Sequence, residues 1–428
     1  MRGICVKPIC IILASLDVLA LGIAETTFPK FTTGPLPPGI YQEQCLVRPE
    51  PIDDFRDLRG GLPYCSPIMN VTGDGKYLIL GTSQPSLQYE KSEYHFYLIV
   101  YDISARTYSQ LLRISHEGCS SVPIGFADIQ ITSDDRFVAV TWCDDVSLYE
   151  LNKAKGKLEH RWTKVGDREK KLAPWSLSRW CSFSPDDARL FVACPDEPLL
   201  ELQTISGKPQ RSLRYTDVLP GDCPLADLSS LANHSAAIRA SPLQTALWLD
   251  NWVLVNFQPA TPRQGILVCD IDSKKSKFLR LSYPPVFTGP VIRFQPGKDV
   301  VVVCYVAGHR RVRGLCLHLL RWEWKGDRVY TDILGRHWYS CTDLLFSPDG
   351  RYLLLLLEPH WMSDPNLLVL DTNNWKVVRG YRLKSGGAYR ARFAHRANLL
   401  VLLSSDGHLV LMDWKKFSGE LNCNGRPS

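Results

Sequence analysis

The chain is poor in everything that would tie it to a membrane interior, to nucleic acid or to a bound metal. No stretch reaches the roughly 18 uncharged apolar residues of a spanning helix, so a stable membrane span is not expected. Neither sign of charge dominates: 50 Lys and Arg stand against 44 Asp and Glu, leaving +6 over 428 residues. That balance is too mild for a general nucleic-acid binder, and nucleic acid is not an expected partner. Fourteen cysteines contain no C-x-x-C pair and no histidine sits at zinc-finger spacing, so neither a metal nor a cofactor is expected. HExxH, GxSxG, P-loop and dinucleotide-binding motifs are all missing, and the ten histidines are dispersed. No catalytic residue can be nominated from that pattern. With 45% hydrophobic residues, the composition is that of a folded chain and not a disordered one.

What is present starts with the N-terminus. Arg2 and Lys7 precede a mostly apolar stretch over residues 9–24, and Gly22 and Ala24 place small residues ahead of Glu25. Residues 1–24 therefore read as a secretory signal peptide, and a secreted or secretory-pathway location is expected. Asp17 interrupts the apolar stretch, which keeps a cytoplasmic chain as the alternative. Twelve cysteines would remain after cleavage, scattered singly from Cys45 to Cys423. Most read as buried free thiols packing as small hydrophobes. Two glycosylation sequons begin at Asn70 and Asn233.

At about 150 residues per domain the length suggests three domains, but internal repetition replaces that count. Residues 341–383 hold four strand-like runs separated by turn residues. The first run ends in Ser347-Pro348-Asp349-Gly350, where proline sets φ, aspartate caps the turn and glycine accepts positive φ. The fully apolar run over residues 352–357 marks a strand buried on both faces. The same order recurs from VTGDGKYLIL at Val71, ITSDDRFVAV at Ile131, FSPDDARLFVAC at Phe183, LDNWVLVNF at Leu249, FQPGKDVVVVCY at Phe294 and the run over residues 391–414. Seven copies between residues 62 and 421 give about 51 residues each, somewhat above the span of a four-stranded propeller blade.

The seventh copy, Leu400 through Ser404, Asp406-Gly407-His408 and Met412-Asp413-Trp414, resembles the second half of a WD40 repeat. Here the order is Asp-Trp, and other copies end in Tyr101-Asp102, Tyr149-Glu150, Cys269-Asp270 and Leu370-Asp371. The resemblance is to the WD40-like propeller superfamily, with no subfamily identified. It implies an all-β fold, a seven-bladed β-propeller of four-stranded antiparallel blades, and commonly a protein-interaction scaffold. The seventh copy lacks a fourth apolar run in its tail, residues 415–428, which would leave an open sheet edge. An N-terminal strand over Cys45-Leu46-Val47-Arg48, within the segment 25–61, is expected to join the last blade and close the ring. The propeller then spans residues 62–421, with 422–428 as a tail.

The aspartates of the first-to-second turns, as in Asp74-Gly75, Asp134-Asp135 and Asp349-Gly350, read as turn caps. Longer and more varied segments fall on the opposite face: residues 81–96, 258–265, 307–314 and 358–366, and between blades 153–171 and 215–240. Segments of that length in a compact fold are functional or disordered. Candidate binding residues within them are Tyr89, His95, His309, Arg310, Arg311, Arg313, His360 and Trp361. The arginines offer bidentate forks to phosphate or carboxylate, and tryptophan is a good interface anchor. The favoured function is a non-catalytic, monomeric ring that binds a protein or peptide through this face. A propeller hydrolase or lactonase-like enzyme, with a site at the central channel, and a secreted carbohydrate- or ligand-binding propeller remain alternatives.

Overall fold

The computed structural model describes residues 31–46, 68–85, 94–115, 126–142, 145–164, 180–193, 199–213, 246–249, 252–257, 265–270, 272–273, 275–281, 291–309, 312–336, 338–359, 363–384, 389–404 and 407–424. These residues form seven β-sheets taken up one after another along the chain. Sheets one to six comprise residues 68–115, 126–164, 180–213, 246–280, 291–335 and 338–382, each a meander of four antiparallel strands. Sheet seven takes three strands from residues 389–413 and its fourth from Tyr41–Cys45. The described residues are all-β apart from one helix, Trp414–Asn424.

Packing follows from the apolar runs. In Tyr352–Pro359, the second strand of sheet six, five leucines in a row are wholly buried. Successive side chains of a strand point to opposite faces, so Leu354 and Leu356 join a cluster with Leu400, Leu402 and Met412 of sheet seven. Leu353, Leu355 and Leu357 join another with Val302, Cys304 and Leu317 of sheet five. Each such side chain contributes about 1.5–3 kcal/mol on leaving water. Sheet one is sandwiched in the same manner. Tyr77 and Ile79 pack with Val138 and Val140 of sheet two, whereas Leu78 and Leu80 pack with Val401 and Leu403 of sheet seven. The first strand of each sheet touches the first strand of the next, and that of sheet seven touches that of sheet one.

The four-residue turns explain how the copies repeat. In Ser347 to Gly350, the Ser347 hydroxyl donates to Asp349 at 2.5 Å, the amide of Arg351 donates to the same oxygen, and Gly350 has φ +68°. Thr72–Asp74, Thr132–Asp134 and Ser184–Asp186 repeat the hydroxyl-to-carboxylate bond at 2.5–2.7 Å. The aspartates are turn caps, as their spacing implied.

The N-terminal strand differs in place from the sequence expectation. It runs over Tyr41–Cys45, antiparallel to His408–Asp413 with Tyr41 opposite Met412, sharing Cys45 with the expected segment 45–48, of which residues 47 and 48 lie outside the described residues. YQEQC is an outer strand without an apolar face, so periodicity cannot reveal it. Its anchors are Leu36 and Ile40, buried among sheets six and seven. A second short strand, Thr33–Pro35, pairs in parallel with Lys376–Arg382, so sheet six has five strands where four were expected. As far as residue 424, the segment after the last strand is helical. Asp413 accepts from the Lys416 amide and caps the helix. Trp414, Phe417 and Leu421, at i, i+3 and i+7, lay its buried face on Tyr352 and Tyr381.

Candidate functional site

Along the first strands, side chains alternate between two environments. Odd positions counted back from the turn are apolar and pack between sheets, among them Met69, Ile129, Cys181, Ile292, Leu344 and Ala391. Even positions are mostly polar: Asn70 on sheet one, Asp128 and Gln130 on two, Ser182 on three, Arg293 on five, Asp343 on six, Arg390 and Arg392 on seven. Ile68, Trp180, Val291 and Leu345 are apolar exceptions. Because the first strands are successive neighbours, some of these polar groups meet across sheets, those of sheets five, six and seven above all.

Asp343 is the hub. It is fully buried, and each carboxylate oxygen accepts one guanidinium and one backbone N–H. Oδ1 takes Arg293 Nη2 at 2.9 Å and the Leu344 amide at 2.9 Å, and Oδ2 takes Arg392 Nη1 at 2.8 Å and the Ala391 amide at 3.0 Å. One side chain thereby ties sheets five, six and seven. Burial by itself would raise the Asp343 pKa, but Arg392, Arg293 and Arg390 with the Ala391 amide hold it below its ordinary 3.8. Arg390 donates to the Thr342 carbonyl, and the Thr342 hydroxyl donates back to the Tyr389 carbonyl at 2.8 Å. Burial pulls the Arg293 and Arg390 guanidiniums down from their usual pKa, opposed chiefly by Asp343.

Asp128 occupies the equivalent position of sheet two with different company. Both its oxygens accept from Gln130 Nε2 at 3.0 Å, and Oδ1 also takes the Ile129 amide at 2.9 Å. Burial raises its pKa above 3.8, and Gln130, Arg392, Arg293 and Ile129 offset this only in part. The thiol of Cys181 is pushed well up by burial and by the Asp128 charge, and burial likewise raises Cys304, beside Cys341. These thiols are free and buried, along with Cys269 and Cys316. Thiols so far from ionisation are poor nucleophiles and metal ligands.

A second network runs through the turns. In sheets two and three the positive-φ turn position, Gly75 in sheet one, is Asp135 and Asp187. Asp135 is buried and accepts from the Gly73 amide at 2.6 Å, from Lys153 at 3.2 Å and from Arg396 of sheet seven. Asp187 accepts the Ser133 amide and hydroxyl at 2.7 and 2.6 Å. The Gly73 carbonyl takes the amides of Arg396 and Ala397. The turns of sheets seven, one, two and three are thus laced into one belt.

Chemically, Asp343 has no acceptor capacity to spare, so it cannot serve as base or nucleophile. Among the described residues no group of three or more His, Cys, Asp and Glu could hold a metal ion. The first-strand cluster is an ion-paired staple with an excess of guanidinium.

Among the described residues, none of the sequence-nominated binding positions falls on the first strands that build this cluster. Tyr89, Arg310, Arg311, His360, Trp361 and Asn233 lie outside the described residues. His95 lies within the strand Tyr94–Asp102, opposite Gln84, and not in a loop as expected, because both strands of that hairpin continue beyond the apolar run. His309 ends the strand Val300–His309, and Arg313 belongs to Val312–Glu323, so most of the expected eight-residue loop is strand and only residues 310 and 311 of it lie outside the described residues. Residues 153–164 are a turn and the outer strand of sheet two, not an inter-blade link; Lys153 reaches the belt. Asn70 donates its amide nitrogen, the atom a glycan would occupy, to the Ile129 carbonyl at 3.0 Å. Sequence reasoning missed Asp128, Arg293, Asp343, Arg390 and Arg392, although the polar–apolar alternation in FADIQI and YRARFA was there to be read.

No protein-family profile and no curated protein matches the sequence. Solved structures do match. The β-propeller domain of Myceliophteria thermophila Cps50 (Swd1) superposes with a TM-score of 0.53 at 12% identity, covering 83% of this chain and 98% of that one. At that identity the likeness concerns fold alone. Successive four-stranded antiparallel sheets, recurrent capped turns and this superposition together give the chain a β-propeller fold.

Proposed function

We propose that the chain is a closed seven-bladed ring acting as a non-catalytic scaffold, which binds a protein or peptide partner through the face bearing its long loops. The observation that carries this reading is the contrast between the two faces. On one, the described turns are short, and in sheets seven, one, two and three their carboxylates and amides are taken up by neighbouring turns. From the ends of the outer strands at the opposite side, residues 116–125, 165–179 and 214–245 join one sheet to the next, and these connections are far longer than the turns. Such segments on a rigid frame are where binding residues concentrate. Ring closure is supported by the N-terminal strand in sheet seven and by the packing of sheet seven on sheet one. The saturated Asp343 speaks against acid–base chemistry there. We further take the ring to be a monomer that passes through the secretory pathway, with residues 1–24 as its leader.

The test uses the full chain with a photo-crosslinking residue placed singly at positions 310, 361, 76 and 351. Partner adducts are expected from 310 and 361 and not from 76 and 351, which lie on the turn face. Adducts from 76 and 351 alone, or hydrolytic turnover by the purified chain, would sink the scaffold reading.

A further inference from the structure

The first-strand cluster holds more positive than negative charge: Arg293, Arg390 and Arg392 against Asp128 and Asp343. Asp343 is saturated by Arg293 and Arg392. Asp128 is satisfied by Gln130 and the Ile129 amide. Arg390 is left with the Thr342 carbonyl, and no carboxylate lies at ion-pair distance from it among the described residues. A guanidinium has five N–H donors and keeps its charge at any physiological pH. Half-buried beside two further guanidiniums, it bears desolvation and like-charge repulsion with Asp343 acting on it only at a distance and no carboxylate in direct contact among the described residues. Arg392 is also partly open, with 19% of its side chain exposed, and uses Nη1 for both Asp343 and the Ala391 carbonyl.

We propose that Arg390, with Arg392 two residues on, forms a site for a single oxyanion, a carboxylate or phosphate group, between the first strands of sheets six and seven. The planar fork of Arg390 matches two oxygens of such a group. The bound anion supplies the charge that Asp343 cannot, since both its oxygens are taken. The partner for which the loop face is proposed plays no part here, so the site can be tested without it.

The full chain is titrated with inorganic phosphate, and separately with acetate, against sodium chloride at matched ionic strength, with thermal unfolding as the readout. A saturable rise in Tm is expected with at least one oxyanion, and which one responds separates phosphate from carboxylate recognition. Arg390→Gln keeps a donor for the Thr342 carbonyl but removes the charge. It should abolish the saturable response while matching or exceeding the wild-type Tm in oxyanion-free buffer. Arg390→Lys, which keeps the charge and loses the fork, should bind about tenfold more weakly. Absence of any saturable response by the wild-type chain overturns the proposal. So does an Arg390→Gln chain that is less stable without oxyanion yet responds as wild type does. If Arg390→Gln does not fold, the wild-type titration and Arg390→Lys decide.

Discussion

Asp343 and Asp128 sit at the same position on the first strands of sheets six and two, four residues before the turn, and both are almost wholly buried. Their electrostatics are opposite. Asp343 is pulled below its ordinary pKa and Asp128 is pushed above it. The same burial acts on each, so burial cannot be the cause of the difference. It lies in what the neighbouring strand offers. Sheets five and seven send Arg293 and Arg392 directly onto Asp343, whereas Asp128 receives a neutral amide from Gln130 on its own strand. A buried carboxylate paired across two sheets stabilises their junction. One satisfied only within its own sheet costs desolvation without fastening anything.

The largest expected effect breaks the paired member. Asp343→Ala strands two partly buried guanidiniums and two backbone amides, and should cost about 3–5 kcal/mol in chemical denaturation. Asp128→Ala removes an acceptor from one amide side chain and one backbone N–H, and should cost about 1–3 kcal/mol. Equal losses would show that the cross-sheet pairing has no energetic consequence. A double-mutant cycle sharpens the point. Asp343→Asn and Arg392→Gln should be coupled by about 1–3 kcal/mol, since the two groups share one contact. Asp128→Asn with Arg392→Gln should be additive to within about 0.5 kcal/mol.

The same contrast explains what was legible in the amino-acid sequence. Meander, turn type and repeat are local. Ser347-Pro348-Asp349-Gly350 and the leucine run after it state a capped turn and a doubly buried strand without reference to the remainder of the chain. Asp343–Arg293 and Asp343–Arg392 join residues 50 and 49 positions apart, and nothing local distinguishes Asp343 from the turn aspartate Asp349 six residues on. Asp135 and Asp187 hid for a related reason. Asp135 reads as part of a cap and Asp187 is not singled out, yet both occupy the positive-φ position where sheet one has Gly75, and their carboxylates serve the preceding turn. The outer strand Tyr41–Cys45 lacks an apolar face, so its general role could be expected from the incomplete last sheet but its boundaries could not. The nominated Arg313 and His95 stood out by residue type alone, and type does not separate a loop from the end of a long hairpin.

The smallest expected effect is the one that depends on pH. Asp343 has its folded pKa below 3.8, so the stability it contributes is complete above that value and is lost only as the pH falls further, through the folded pKa. Replacing it with Asn should therefore cost the same at pH 7 and pH 5, and less only in stronger acid. Asp128 runs the other way. Its folded pKa lies above 3.8, so the native state binds the proton more readily than the unfolded chain, and its ionisation weakens the fold as the pH rises through the folded value. Asp128→Asn should be neutral or stabilising by up to about 1 kcal/mol at pH 7. That advantage should shrink as the pH is lowered towards 4, because the wild-type carboxyl then becomes neutral too. Urea denaturation of the two variants and the parent over this range measures both windows. If the Asp128→Asn difference stays flat down to pH 4, or changes in the same acid window as Asp343→Asn, the two carboxylates are electrostatically alike and the distinction between paired and unpaired sheets fails.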